Sequence, residues 1–210
     1  MRPSNLIGPA DRERIEAAVR SAEAGTSGEI VVQVVRRSDV FAVSPWRLAV
    51  LLAAIVLLGA EWFAPEASLL TLFGLQSAAV VFAHAACASD FVRRLGLRED
   101  ELERAADRGA LDAFRQHVLR RTEGRTGILI YVSLLEHRVV VLGEEAIDRA
   151  LGEGETWDAV VADVLEGIRA GRAADGIVRA VERCGAMLAH PLPRAAHDKD
   201  EIVHGLILSD

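Results

Sequence analysis

Signatures of chemistry are scarce in this chain, and each absence removes a class of function. It has no Gly-rich phosphate loop, no Gly-x-Ser-x-Gly, no His-Glu-x-x-His and no Cys-x-x-Cys. The sequence therefore shows no phosphate cradle, nucleophile elbow, zinc helix or redox pair. Only two cysteines occur, Cys87 in an apolar run and Cys184 on a predicted helix. Their different environments argue against a disulfide framework and for two free thiols. A basic stripe is also missing. The net charge is −7, with 31 acidic against 24 basic side chains, which argues against nucleic acid as a partner. No repeat or low-complexity segment is present. The opening residues 1–7 hold no apolar core long enough for a secretory signal before Asp11, so any targeting signal is expected further along the chain.

What the chain does have is apolar length. The hydrophobic fraction is 51% with only 5% aromatic, and residues 45–92 supply much of the excess. Two runs, 46–63 and 67–91, flank the bend Ala64-Pro65-Glu66. A bilayer core about 30 Å thick needs roughly 17–25 apolar residues per helix. Pro65 breaks a continuous helix, so a transmembrane helical hairpin of two antiparallel spans is expected. It would carry its own targeting signal. The competing reading, a buried hairpin in a soluble core, would need more apolar surface than a chain of this size has to surround it.

Arg36, Arg37 and Arg47 precede the hairpin, Arg93, Arg94 and Arg98 follow it, and the bend carries only Glu61 and Glu66. Positive flanks stay inside, so both soluble ends are expected in the cytoplasm of an inner membrane, with the bend outside. The arginines would face anionic lipid. Gln76 and His84 are the polar groups within the second span. Intramembrane polar groups can mark function, but a bond to the partner helix or a water accounts for this pair, since the hairpin has no acidic relay partner. Ala78, Ala83, Ala85, Ala86 and Ala88 offer a small-residue surface for close helix packing, within the hairpin or between protomers.

The rest alternates helix and strand. Residues 9–24 carry Ile15, Ala18, Val19 and Ala22 at helical spacing. Residues 29–36 form a near-continuous β-branched run, as in a strand buried on both faces. A long helix is predicted over 98–121, strands over 127–134 and 137–142, and helices over 144–151, 157–170 and 174–188. Thr156 is the predicted N-cap of the helix from 157. Leu135-Glu136 makes the tight turn of an antiparallel hairpin, and Glu136 and His137 are expected to diverge into solvent. His117 reads as a boundary histidine. Residues 193–210 read as a C-terminal tail, within which 201–208 adds an edge strand or stays loose. The domains expected are a discontinuous soluble domain, 1–37 plus 96–192, the membrane hairpin 45–92, and the tail. The acidic group Glu144, Glu145, Asp148, Glu153 and Glu155 follows the third strand. Such oxygen-rich loops can hold Ca²⁺ or another divalent cation, although no spacing here matches a Ca²⁺-loop pattern.

Thr26-Ser27-Gly28-Glu29-Ile30-Val31-Val32 resembles the first-strand motif of TPM domains. Arg125-Thr126-Gly127-Ile128-Leu129-Ile130-Tyr131-Val132-Ser133, with Glu136-His137-Arg138-Val139, is similar to their central hairpin, and residues 171–177 to the entry into their last helix. The resemblance covers about 7–37 and 97–188, with the membrane hairpin as an insertion. It implies a three-layer α/β/α sandwich around a small mixed sheet. Some TPM proteins are linked to photosystem II repair, some to acid phosphatase activity, some to Ca²⁺ binding, and many bacterial ones are membrane proteins. Glu29, Glu144 and Glu145 are the acidic positions it carries over as candidate metal ligands. Where many relatives have Asp-Asn-Gly, this chain has Arg125-Thr126-Gly127. The exchange removes an oxygen ligand and adds a cation.

The resulting expectation is an integral membrane protein with a cytoplasmic TPM-like domain, a non-enzymatic binding or accessory module for membrane proteins or for self-association. The alternatives are a metal-dependent phosphatase-like hydrolase and, given oligomers, a small pore or transporter component.

Overall fold

The computed structural model describes residues 2–41, 43–119, 126–150, 157–194 and 205–210. The architecture is mixed α/β, and the chain divides into two compact units. One comprises Met1–Ser38 with Glu103–Asp210, the other Asp39–Leu102.

The first unit is built on a sheet of β1 (Glu29–Val35), β2 (Gly127–Ser133), β3 (Arg138–Gly143) and β4 (Leu206–Ser209), in the order β3-β2-β1-β4. β1 runs parallel to β2 and β4, and β2 antiparallel to β3. Every residue of β1 and β2 is buried, the burial expected of inner strands covered on both faces. Alternation then sorts their side chains. Ile30, Val32, Val34, Ile128, Ile130 and Val132 join one core with Ile15, Val160, Val164, Ile177 and Val181. These come from α2 (Pro9–Glu23), α8 (Asp158–Arg169) and α9 (Ala173–Ala189). Val31, Val35, Leu129 and Tyr131 join a second with Ala110, Ala113, Phe114 and Val118, on or just after α6 (Glu99–His117). Each fully buried aliphatic side chain contributes roughly 1.5–3 kcal/mol of transfer free energy.

α8 and α9 cross on glycine. A Cβ on Gly167 would lie 2.6 Å from the Gly176 Cα, and one on Gly176 would lie 2.6 Å from the Asp163 carbonyl. No side chain fits at either position without separating the helices. The short helices α1 (Pro3–Leu6) and α7 (Glu145–Ala150) complete this unit among the described residues.

Of the two alternatives for the end of the chain, the edge strand is the one found: β4 pairs with β1 through Val32–Val35, and the Asp210 carboxylate accepts from Ser4 N at 3.1 Å and Ser4 Oγ at 2.7 Å. One expectation needs correction. Glu136 does not diverge into solvent: it is fully buried, while His137 beside it is exposed at φ 54°.

The second unit holds α3 (Val43–Phe63) and α4 (Leu69–Ala86), packed on one another, and the short α5 (Asp90–Leu95). α3 starts three residues before the predicted 46. The predicted second run, 67–91, is broken: α4 stops at Ala86, and a new helix starts from Ser89 with Asp90 in its first turn. An acidic residue there suits a helix start, and it ends the apolar run earlier than hydropathy does. In the bend, Ser68 accepts from Thr71 N at 3.2 Å and caps α4. Ser44, Ala49, Ala79, Ala83 and Cys87 are buried in this unit. Ala79, Ala83 and Cys87 recur every fourth residue, the small-residue spacing that lets helices approach closely. Ala78, Ala85 and Ala88 are instead exposed.

Candidate functional site

α3 and α4 are long and apolar enough to cross a membrane. A core helix passes the same test, but its side chains would be hidden. Here Trp62, Phe63, Leu69 and Leu70 are 82–85% exposed, and Val50, Leu58, Phe73 and Val81 are also on the surface. Large exposed apolar areas of this kind mark contact with lipid or protein. Of the two polar groups within the second run, His84 engages its own helix. Its Nδ1 lies 3.0 Å from the Val80 carbonyl, and the ring sits edge-on to Trp46 at 5.0 Å. Gln76 is half-buried.

The arginines at the hairpin base are tied to protein atoms. Arg47 grips Glu101 with both guanidinium arms, at 2.6 Å each, and also donates to the Gly96 carbonyl at 3.2 Å. The Arg98 backbone N–H adds a third donor to Glu101. The Arg47 fork holds the Glu101 carboxyl down to about 2. Bidentate geometry of this kind is stronger and more directional than a single contact. Arg93 donates to the Cys87 carbonyl at 3.0 Å, closing the end of α4, and to the Val40 carbonyl at 2.8 Å. Arg94 lies 3.6 Å from Glu99. Arg36 and Arg37 are half-buried in the first unit, just beyond β1.

The acidic candidates separate. Glu29 and Glu144 are both buried and both sit at Gly127: Glu29 is its register partner on β1, and Glu144 accepts from Gly127 N at 2.8 Å. Glu145 points elsewhere and pairs with Arg149. Among the described residues no group of three or more His, Cys, Asp or Glu is arranged to hold a metal ion. Arg125, Glu153, Glu155 and Thr156 lie outside the described residues, as does the Asp148 side chain. The acidic pair also lies at the amino ends of the parallel strands. Ligand sites in such sheets favour the carboxyl ends, and β3 reverses direction before reaching Glu144.

At the carboxyl ends of β1 and β2 lies a polar chain that the sequence reading missed. Tyr131 Oη donates to Ser38 Oγ at 3.0 Å, Ser38 Oγ to Ser133 Oγ at 2.9 Å, and Ser133 Oγ to Glu136 Oε2. Glu136 Oε1 accepts from Ser38 N at 2.7 Å. Burial pushes the Tyr131 phenol up. α6 closes over this chain at Gly109, where a Cβ would stand 2.5 Å from Tyr131 Oη. Ser133 is 1% exposed, so its hydroxyl is not presented to a substrate. The network fixes Ser38, the last residue before the chain leaves for the hairpin. The signal in the sequence was Tyr131-x-Ser133, two polar groups on one face of an otherwise apolar strand. Cys87 and Cys184 are free and buried, and burial pushes the Cys184 thiol up to about 12, so it is an inert core residue.

No protein-family model and no curated protein matches the chain. In fold it is similar to the BA42 protein of the psychrophilic bacterium Bizionia argentinensis, solved by NMR. The TM-score is 0.58 at 20% identity, covering 96% of this chain and 94% of that one. At that identity the likeness speaks for the fold alone.

Proposed function

We propose that this is a two-span membrane protein of the inner membrane, whose cytoplasmic domain is a TPM-type three-layer α/β/α sandwich acting as a binding or accessory module. The observation that carries the reading is the hairpin: two apolar helices that bury small side chains between them and turn large ones outward. Lipid is the solvent in which that arrangement costs least. Basic residues at the hairpin's base and acidic ones at its bend support the cytoplasmic assignment of both ends. Support for a non-enzymatic role comes from the polar chain at Glu136, whose groups bond one another and hold backbone. The partners expected are the bilayer and other membrane proteins or copies of itself.

The test is purification of the full chain from membranes in mild detergent. A membrane protein retained at fixed stoichiometry is the expected result. No retained protein, together with turnover of a phosphoester by the pure chain, would overturn the reading.

A second reading, a metal-dependent phosphatase, rests on the two buried carboxylates at Gly127. It predicts saturable Ca²⁺, Mg²⁺ or Mn²⁺ binding in calorimetry that weakens in Glu144→Gln. Flat titrations would leave the binding module as the account.

A further inference from the structure

The exposed apolar surface of the second unit does not stop where its long helices do. The chain leaves α4 at Ala86, passes through Cys87, Ala88 and Ser89, and starts α5 at Asp90. This short helix has two unlike sides. Phe91 and Leu95 are 74% and 72% exposed, and residues four apart share one helix face. Arg93 falls about half a turn away from both and is turned to the hairpin. Its guanidinium donates to the Cys87 and Val40 carbonyls, and its own carbonyl accepts from Ser44 Oγ at 2.7 Å. Just past the helix, the Gly96 carbonyl accepts from Arg47 at 3.2 Å, and a Cβ on Gly96 would stand 2.6 Å from Ser44 Oγ. One side of α5 is therefore fastened to the start of α3 and the end of α4, and the apolar side is left bare.

Single exposed apolar side chains are common. These two extend a set: Val40, Val43 and Trp46, at and just before the first turn of α3, are exposed as well, and the exposed apolar surface of the hairpin follows directly. Helix length then says what covers them. α3 has 21 residues and α4 has 18, about 31 and 27 Å at 1.5 Å per residue, against hydrocarbon about 30 Å thick. Each helix is used up in crossing. The end to which α5 is tied thus comes out at the head groups, and α5 lies at their level. A helix there with Phe and Leu on one side and arginine on the other has the pattern of a segment lying in the interface plane.

We propose that α5 is an interfacial helix. It lies along the bilayer surface at the base of the hairpin, with Phe91 and Leu95 inserted at the boundary of head groups and acyl chains. It makes a third membrane contact, which fixes how deep that base sits. The proposal rests on the two-span reading of α3 and α4.

The experiment places a nitroxide on single cysteines in the full chain, reconstituted in nanodiscs of phosphatidylcholine and phosphatidylglycerol. The chain's own cysteines are buried, which leaves the introduced thiol as the accessible one. Phe91→Cys and Leu95→Cys are compared with Leu58→Cys, exposed within α3, and Glu13→Cys, exposed on α2 of the first unit. Relaxation by oxygen, which enters lipid, is set against relaxation by a nickel chelate, which stays in water. Labels at 91 and 95 are expected to be protected from nickel severalfold relative to 13 while remaining open to oxygen, with 58 protected more strongly still. Nickel access at 91 and 95 equal to that at 13, with 58 protected, overturns the interfacial helix and leaves the two spans standing. Nickel access at 58 overturns both. Shielding of 91 and 95 from oxygen as well as nickel means that protein covers them and also overturns the proposal, as does protection at only one of the two.

Discussion

The inner strands and the helical hairpin have nearly the same chemistry and opposite burial. Leu129, Ile130 and Val132 are at most 1% exposed, whereas Leu58 and Phe73 stand more than 70% exposed. An aliphatic side chain gains by leaving water, and it does not matter whether its new surroundings are protein or hydrocarbon. What differs is the backbone. A strand needs neighbours for its N–H and C=O groups, so β1 and β2 sit inside a sheet. A helix satisfies its own, so α3 and α4 can turn large side chains such as Leu58 and Phe73 outward. The small residues record the same division: Ala79, Ala83 and Cys87 face the protein contact, where packing matters.

The comparison can be broken at its strongest point by matched truncations. Ile130→Ala removes a side chain with no exposed area and should cost about 2–5 kcal/mol in denaturant unfolding of the detergent-solubilised chain. Ile55→Ala, at a position 56% exposed, should fall within about 0.5 kcal/mol. Equal losses would mean that α3 packs in a protein core. Next in size is a charge in the span. Ile55→Asp should raise the cost of insertion by about 2.5–3.5 kcal/mol, read as a fall in the membrane-integrated fraction after alkaline extraction. An unchanged fraction would place residue 55 outside the hydrocarbon.

A smaller effect is expected at the polar chain. Glu136→Ala leaves Ser133 Oγ and Ser38 N without their buried acceptor and should destabilise the first unit by about 1–3 kcal/mol. A neutral result would show that water replaces the carboxylate. The smallest concerns pH. Glu101 is held at about 2, below its ordinary 4.5, by Arg47 first and the Arg98 N–H second. Its contribution is therefore fully present above about pH 4.5 and fades as pH falls toward 2. The pair is solvent-accessible, which keeps the effect small. Acid titration of wild type and Glu101→Gln should diverge only in that window, and parallel curves would show that the clamp does not hold in solution.

Much of the scaffold was legible because local pattern and burial agree in it. The β-branched run of β1, the helical stripes of α2, α8 and α9, and the two apolar helices all announce themselves within a dozen residues or so. Glu136 did not, because its burial depends on Ser38, 98 positions away, and a Leu-Glu-His turn reads as solvent. β4 was legible only as one of two alternatives for 201–208, because four residues gain strand character only from lying beside β1. The end of α4 was missed by counting hydropathy through Cys87–Ser89, where a new helix starts from Ser89 with Asp90 in its first turn. Glu29, Glu144 and Glu145 were grouped by the resemblance to TPM domains, and the structure unites only the first two, since the chain enters a helix at Glu145, which pairs with Arg149.

Glu66 lies in the bend between α3 and α4, so its sidedness tests the membrane account most directly. Glu66→Cys, in a chain whose own two cysteines are buried, would be treated in intact cells with a membrane-impermeant maleimide. Labelling without permeabilisation is the predicted result, with the bend outside and both ends of the chain in the cytoplasm. Labelling only after permeabilisation would contradict the proposed topology, and recovery of the chain in the soluble fraction would contradict the membrane hairpin itself.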